Sequence, residues 1–203
     1  MTIEIIKESK TYLYHIRKYV WFSLALFIFS SLSGYYIAQN HPDKIADYLA
    51  EIEAFFESMA EPTAWETFMA IFQNNVEAML LVVGMGIFAG FFSLTFLLVN
   101  GFMVGIFAHL FVSQGLGLIF LFGVIPHGVI EIPCLLFSAA IGFRIGETAI
   151  GKIFQRKQSL ILETSEGIKF AITAIIPLLF IAALIEAYIT PLFITLAQFF
   201  IAA

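Results

Sequence analysis

The chain alternates between long uncharged runs and short charged segments. Residues 1–18 carry Lys7, Lys10, Arg17 and Lys18, with Ile3, Ile6, Leu13 and Ile16 near one helical face, the pattern of a basic amphipathic helix at a membrane surface. From 19 to 38 no charge occurs, and at about 1.5 Å per residue such a run crosses a hydrocarbon core of roughly 30 Å. The segment 39–73 sets Asp43, Asp47, Glu51, Glu53, Glu57, Glu61 and Glu66 against Lys44 alone. Its apolar positions, Ile45, Leu49, Ile52, Phe55, Phe56 and Met59, recur at intervals of three or four, which predicts an acidic amphipathic loop outside the membrane, broken at Pro62.

Between Ala78 and Phe143 the only acid is Glu131, and a single helix of that length would measure about 100 Å, so the chain must fold back twice. Asn100-Gly101 is one expected turn. The stretch 115–128, with Gly115, Gly117, Gly123, Pro126, His127 and Gly128, is too long for a tight turn and too apolar for an exposed loop. It predicts a re-entrant or broken helix around Pro126, because irregular backbone at membrane depth survives only against protein or water. A basic segment follows at Arg144, Lys152, Arg156 and Lys157, then a last apolar span and a tail from Pro191 too short to cross, expected at the interface. The fold expected is therefore all-α, a polytopic membrane helix bundle. It has about five transmembrane spans at 19–38, 78–99, 101–122, 127–148 and 168–189, forming one transmembrane domain over 19–203 behind the helix 1–18.

Composition strengthens this reading: the 203 residues are 61% hydrophobic and only 12% charged, far from the soluble norm. The net charge of -5 says less than its distribution. Five spans put every one of the ten Lys and Arg except Lys44 on one side, the positive-inside arrangement, so the N-terminus is expected in the cytoplasm of a prokaryotic cell, with the protein in its plasma membrane. The lone Cys134 excludes an internal disulfide or a multi-cysteine metal site. No hydrolase, phosphate-loop or zinc-protease signature is present, no cofactor or metal is called for, and no basic face suits nucleic acid.

Glycines recur at four-residue spacing in Gly86/Gly90, Gly101/Gly105 and Gly142/Gly146, flat strips that suit close helix packing within one chain or across a homo-oligomer, most simply a dimer. Ionisable groups at membrane depth usually face a bundle interior or a wet cavity, which singles out Pro126, His127, Gly128, Glu131 and Pro133. His127 and Glu131 are spaced to share a helical face. They could lock a broken backbone, line an ion or substrate path, or bind a metal. The last needs further ligands from Glu77, His109 or Glu186. Asn74 and Asn75, with Glu77, are expected to open the second span, and Glu186 to reach the outer interface or to meet His127 or Arg144. His109 fits a neutral core histidine, while His15 and His41 lie in water-facing segments.

Asn74-Asn75, the glycine-rich span ending in Asn100-Gly101, Pro126-His127-Gly128 with Glu131 and Pro133, Gly142 with Gly146, and Glu186 to Pro191 resemble the stage II sporulation protein M family. The resemblance implies a five-span prokaryotic membrane protein, a scaffold without catalysis of its own. In endospore formers the family's namesake works with two partner membrane proteins that remodel peptidoglycan. What carries over to this chain is the topology, structural weight for His127 and Glu131, and the expectation of complexes. The function expected is a non-enzymatic component of the lipid bilayer that assembles with itself or with partner membrane proteins. A channel or secondary transporter using His127 and Glu131 is the alternative, and an intramembrane metal-dependent enzyme the third reading.

Overall fold

The structure is a computed structural model that describes residues 2–43, 45–46, 62–155 and 158–202. It is an all-α bundle whose long helices are α1 (Thr2–Asn40), α2 (Ala64–Gly84), α3 (Phe91–Ser113) and α4 (Gly117–Ile153). A composite C-terminal helix follows, of α5 (Leu160–Phe170), α6 (Ile176–Leu184) and α7 (Thr190–Ala202), joined by π-helical turns at Ala171–Ile175 and Ile185–Ile189. Five helices are long and apolar enough to cross a membrane, and the protein is a multi-pass membrane protein. Residues 44 and 47–61 of the acidic amphipathic loop expected in 39–73 lie outside the described residues.

α2 starts immediately after Pro62. The Thr63 hydroxyl accepts from the Glu66 amide at 3.3 Å while the Glu66 carboxylate accepts from the Thr63 amide at 2.8 Å, a reciprocal capping box that satisfies two otherwise unpaired donors. Asn74, Asn75 and Glu77 consequently lie inside α2 and cap nothing, which corrects the expected start of the second span.

The turn between α2 and α3 is not Asn100-Gly101 but residues 84–90. There a 3₁₀ turn (Met85–Ile87) leads into Ala89 and Gly90, at φ 57° and 76°. Asn100 sits comfortably mid-helix because its amide donates back to the Phe96 carbonyl at 2.8 Å. The second reversal takes only residues 114–116. Gly115 adopts φ 76°, its amide donates to the Val112 carbonyl at 3.1 Å, and the Leu116 amide donates to the Phe111 carbonyl at 2.7 Å, the Schellman pattern.

No break occurs at Pro126: α4 runs unbroken through both Pro126 and Pro133. The absent proline donors are tolerated where neighbouring helices cover the backbone. Around Phe122 and Gly123, ahead of Pro126, that cover comes from the C-terminal segment. α7 continues the last helix and lies along the first half of α4, with the Phe122 and Phe193 ring centroids 5.9 Å apart, so the residues expected as an interfacial tail form a helix packed on the bundle.

Contacts fix the helix directions. Gly101 faces Phe27 and Ser30 while Gly105 faces Ser31 and Tyr35, so α1 and α3 run parallel. Phe22 meets Phe143 and Lys18 meets Glu147, so α1 and α4 run antiparallel. α4 is the hub. Its segment from Cys134 to Ile145 contributes Ala139, Ala140 and Ile141, all fully buried, to a core shared with α1, α2, α3 and the C-terminal helix.

The glycine strips are used inside the chain. A Cβ on Gly86 would stand 2.7 Å from the Gly142 Cα, one on Gly101 would stand 2.7 Å from the Phe27 carbonyl oxygen, and one on Gly146 would overlap the backbone at Ala89 and Gly90. The expectation of a dimer built on these strips loses its argument, because they already face helices of the same chain.

Candidate functional site

Two polar clusters stand out in an otherwise apolar bundle. At one end, where α1 begins and α4 ends, Arg144 reaches Glu147 at 2.9 Å and Glu163 at 3.0 Å. Lys18 approaches Glu147 at 3.2 Å, Tyr19 donates to the same carboxylate, and His15 lies 3.4 Å from Glu163. Lys169 pairs with Glu8 at 2.7 Å. This network ties α1, α4 and α5 together. Arg144 was a candidate partner for the membrane-depth site and instead belongs here. Glu147, Glu163 and His15 were not anticipated, although an arginine following a long uncharged run implies a nearby acid.

The second cluster lies about 20 Å along α4 from Arg144, at 1.5 Å per residue. The unbroken helix puts His127 and Glu131 on one face, and that face looks at the second π turn, which carries Glu186. One ligand-capable atom from each of the three lies within 4.8 Å of the others, and all three side chains are half-buried. Thr190, one residue past the π turn, places its hydroxyl 3.5 Å from His127 Nδ1. Asn75 of α2 directs its side chain at the Glu131 carboxyl, and Cys134, one turn further along α4, is fully buried.

A π turn inserts one residue into the helical repeat and so rotates all that follows by about 100°. The insertion at Ile185–Ile189 therefore sets the relative facing of Glu186 and Thr190. Of the two positions foreseen for Glu186, the structure gives the inner one, against His127.

The remaining candidates stay apart from this site. Glu77 accepts from Gln73 at 2.8 Å on an exposed face, and Asn74 is exposed. His109 packs edge-on against Tyr35, centroids 5.1 Å apart, and its Nδ1 is buried without a partner among the described residues. Gly128 is buried beside Val124 and Ile132, and Pro133 is half-buried one turn beyond Gly128.

The family described as stage II sporulation protein M matches residues 23–191, a range that reaches into all five long helices and holds His127, Glu131 and Glu186 together with Arg144, Glu147 and Glu163. The chain belongs to the stage II sporulation protein M family. Two similar members of known sequence are uncharacterized proteins of Methanocaldococcus jannaschii. One is 30% identical over 174 residues, covering 84% of this chain and 89% of the other. The second is 32% identical over 126 residues, covering 60% of this chain and 55% of the other. No solved structure is similar at a significant level.

Proposed function

We propose that the protein is a non-enzymatic component of a prokaryotic plasma membrane that assembles with partner membrane proteins or with itself, its N-terminus on the cytoplasmic side. The observation that carries this reading is the way the helices are joined. Gly34, Gly86, Gly101, Gly105, Gly142 and Gly146 bring backbone against backbone or side-chain base, and nothing compressible lies between. Such contacts suit a body of fixed shape better than one whose halves rock to expose a site alternately.

The cavities agree with this. One, of about 450 Å³, is lined at the charged end by Tyr12, His15, Glu166 and Lys169. Another, of about 700 Å³, is an outer groove between α1 and α3 lined by Phe29, Phe102 and Met103. Neither has His127, Glu131 or Glu186 in its wall. The clustering of Lys7, Lys18, Arg144 and Lys169 at a single end of the bundle supports the orientation under the positive-inside rule.

Reconstitution tests the reading. Proteoliposomes carrying the protein are expected to show no proton or cation flux above protein-free vesicles, and in-membrane crosslinking followed by native mass measurement is expected to return a defined complex. A flux that Glu131→Gln abolishes while the fold is intact would overturn it in favour of transport.

A further inference from the structure

His127, Glu131 and Glu186 meet where an apolar bundle has no evident use for two carboxyl groups side by side. Ionised together and unneutralised, they would repel strongly in low-dielectric surroundings. The cations that pair with acids among the described residues, Lys18, Arg144, Lys169 and His15, all lie at the opposite end of α4. The charge of the two carboxyl groups is therefore neutralised either by protons on these groups or by a metal ion between them.

The arrangement favours a metal. One imidazole and two carboxylates form the mixed nitrogen and oxygen donor set that divalent zinc and its neighbours prefer. The donors come from two helices, so an ion here would join α4 to the C-terminal helix. Thr190 engages Nδ1 of His127 and leaves the other ring nitrogen open, the way a ligating histidine is usually held. The Asn75 amide, from a third helix, lies beside the Glu131 carboxyl as a donor, so it can hold that carboxylate in place. Donor atoms around tetrahedral zinc stand about 3.3 Å apart, so atoms already within 4.8 Å of one another must draw together only slightly to ligate one ion. The π turn is a second sign. Single π turns disturb an otherwise regular helix and recur at functional positions, and this one holds Glu186 itself.

We propose that His127, Glu131 and Glu186 form an intramembrane binding site for one divalent transition-metal ion, with Asn75 positioning the Glu131 carboxyl and Thr190 orienting the imidazole. The site pins the C-terminal helix to α4 and does not depend on the assembly role proposed above, since metal content and complex formation are read separately.

The full-length protein, purified in mild detergent with chelators and with any affinity tag removed, is titrated with Zn²⁺ while metal content and melting temperature are followed. About one ion per chain and a saturable rise in melting temperature, reversed by chelation, are expected. Glu131→Gln and Glu186→Gln keep side-chain shape and are expected to weaken binding at least tenfold, with roughly tenfold for Asn75→Ala. Replacement of the exposed His41 is expected to change nothing. Should the ligand variants fail to fold, Co²⁺ bound to the wild-type chain gives an independent reading, because nitrogen and oxygen ligation at low coordination number produces visible absorption. Absence of that absorption, uptake unchanged in Glu131→Gln and Glu186→Gln, or a wild-type chain whose melting temperature ignores Zn²⁺ would each overturn the site and leave protons on these groups.

Discussion

The Arg144 guanidinium stands 3.0 Å from the Glu163 carboxylate, and the side chains retain only 11% and 9% of their exposure. Removing one partner of so buried a pair strands the other charge, at a cost of about 3 to 5 kcal/mol. Arg144→Ala is therefore expected to lower stability strongly, since Glu147 loses the same partner. Replacing both Arg144 and Glu163 by apolar residues is expected to cost less than the sum of the single changes. Thermal denaturation of the four proteins in one detergent measures the coupling.

The glycine contacts allow a paired test within one helix end. At Gly86 a methyl group would press on the Gly142 backbone, whereas at Gly84 nothing lies within 4 Å. Gly86→Ala is expected to destabilise by about 1 to 3 kcal/mol. Gly84→Ala is expected to be neutral or stabilising by up to about 1 kcal/mol, since it removes backbone freedom from the unfolded chain. Equal behaviour of the two would show that the α2–α4 contact is looser than described.

Gly115 turns the chain between α3 and α4 at φ 76° with open space around it, so any penalty there is conformational rather than steric. Gly115→Ala is expected to cost about 1 kcal/mol, and Gly117→Ala, in ordinary helical backbone, close to nothing. Melting temperatures separate the two.

Single cysteines near Lys152 and near His41, in a Cys134→Ser background, test the orientation in intact cells. A membrane-impermeant maleimide is expected to label the position near His41 only. Labelling confined to the Lys152 position would invert the assignment.

Much of this architecture was legible in the sequence because it follows from hydrocarbon thickness and from charge placement. The runs that make α1, α3 and α4 are too long and too apolar for anything but spans. Local signals misled where two of them competed. Asn100-Gly101 carries the chemistry of a turn, yet Gly101 is needed for contact with Phe27, and Asn100 satisfies its own amide within the helix. Pro126 signals a break, yet the helix continues where α7, whose partner cannot be inferred from its own composition, packs beside it. Thr63 with Glu66 was a readable capping box, and recognising it would have placed the start of α2 correctly. The meeting of Glu186 with His127 and Glu131 was legible only as one of several alternatives. It depends on an inserted residue at Ile185–Ile189 that no spacing rule registers.

The parallel pairing of α1 with α3 bears on how the protein is made. α1 leaves the ribosome with a face cut for Gly101 and Gly105, but that face stays uncovered until α2 has crossed and α3 has followed. At ordinary synthesis rates of about 5 to 20 residues per second, the wait lasts several seconds. During it Ser30, whose hydroxyl finally donates to the Leu98 carbonyl, has only its own helix or the insertion machinery to bond. Biogenesis thus has an order: α1 must be retained beside the exit site until the α2–α3 hairpin arrives, and slow release of the first helix is as much a requirement of this fold as any of its finished contacts.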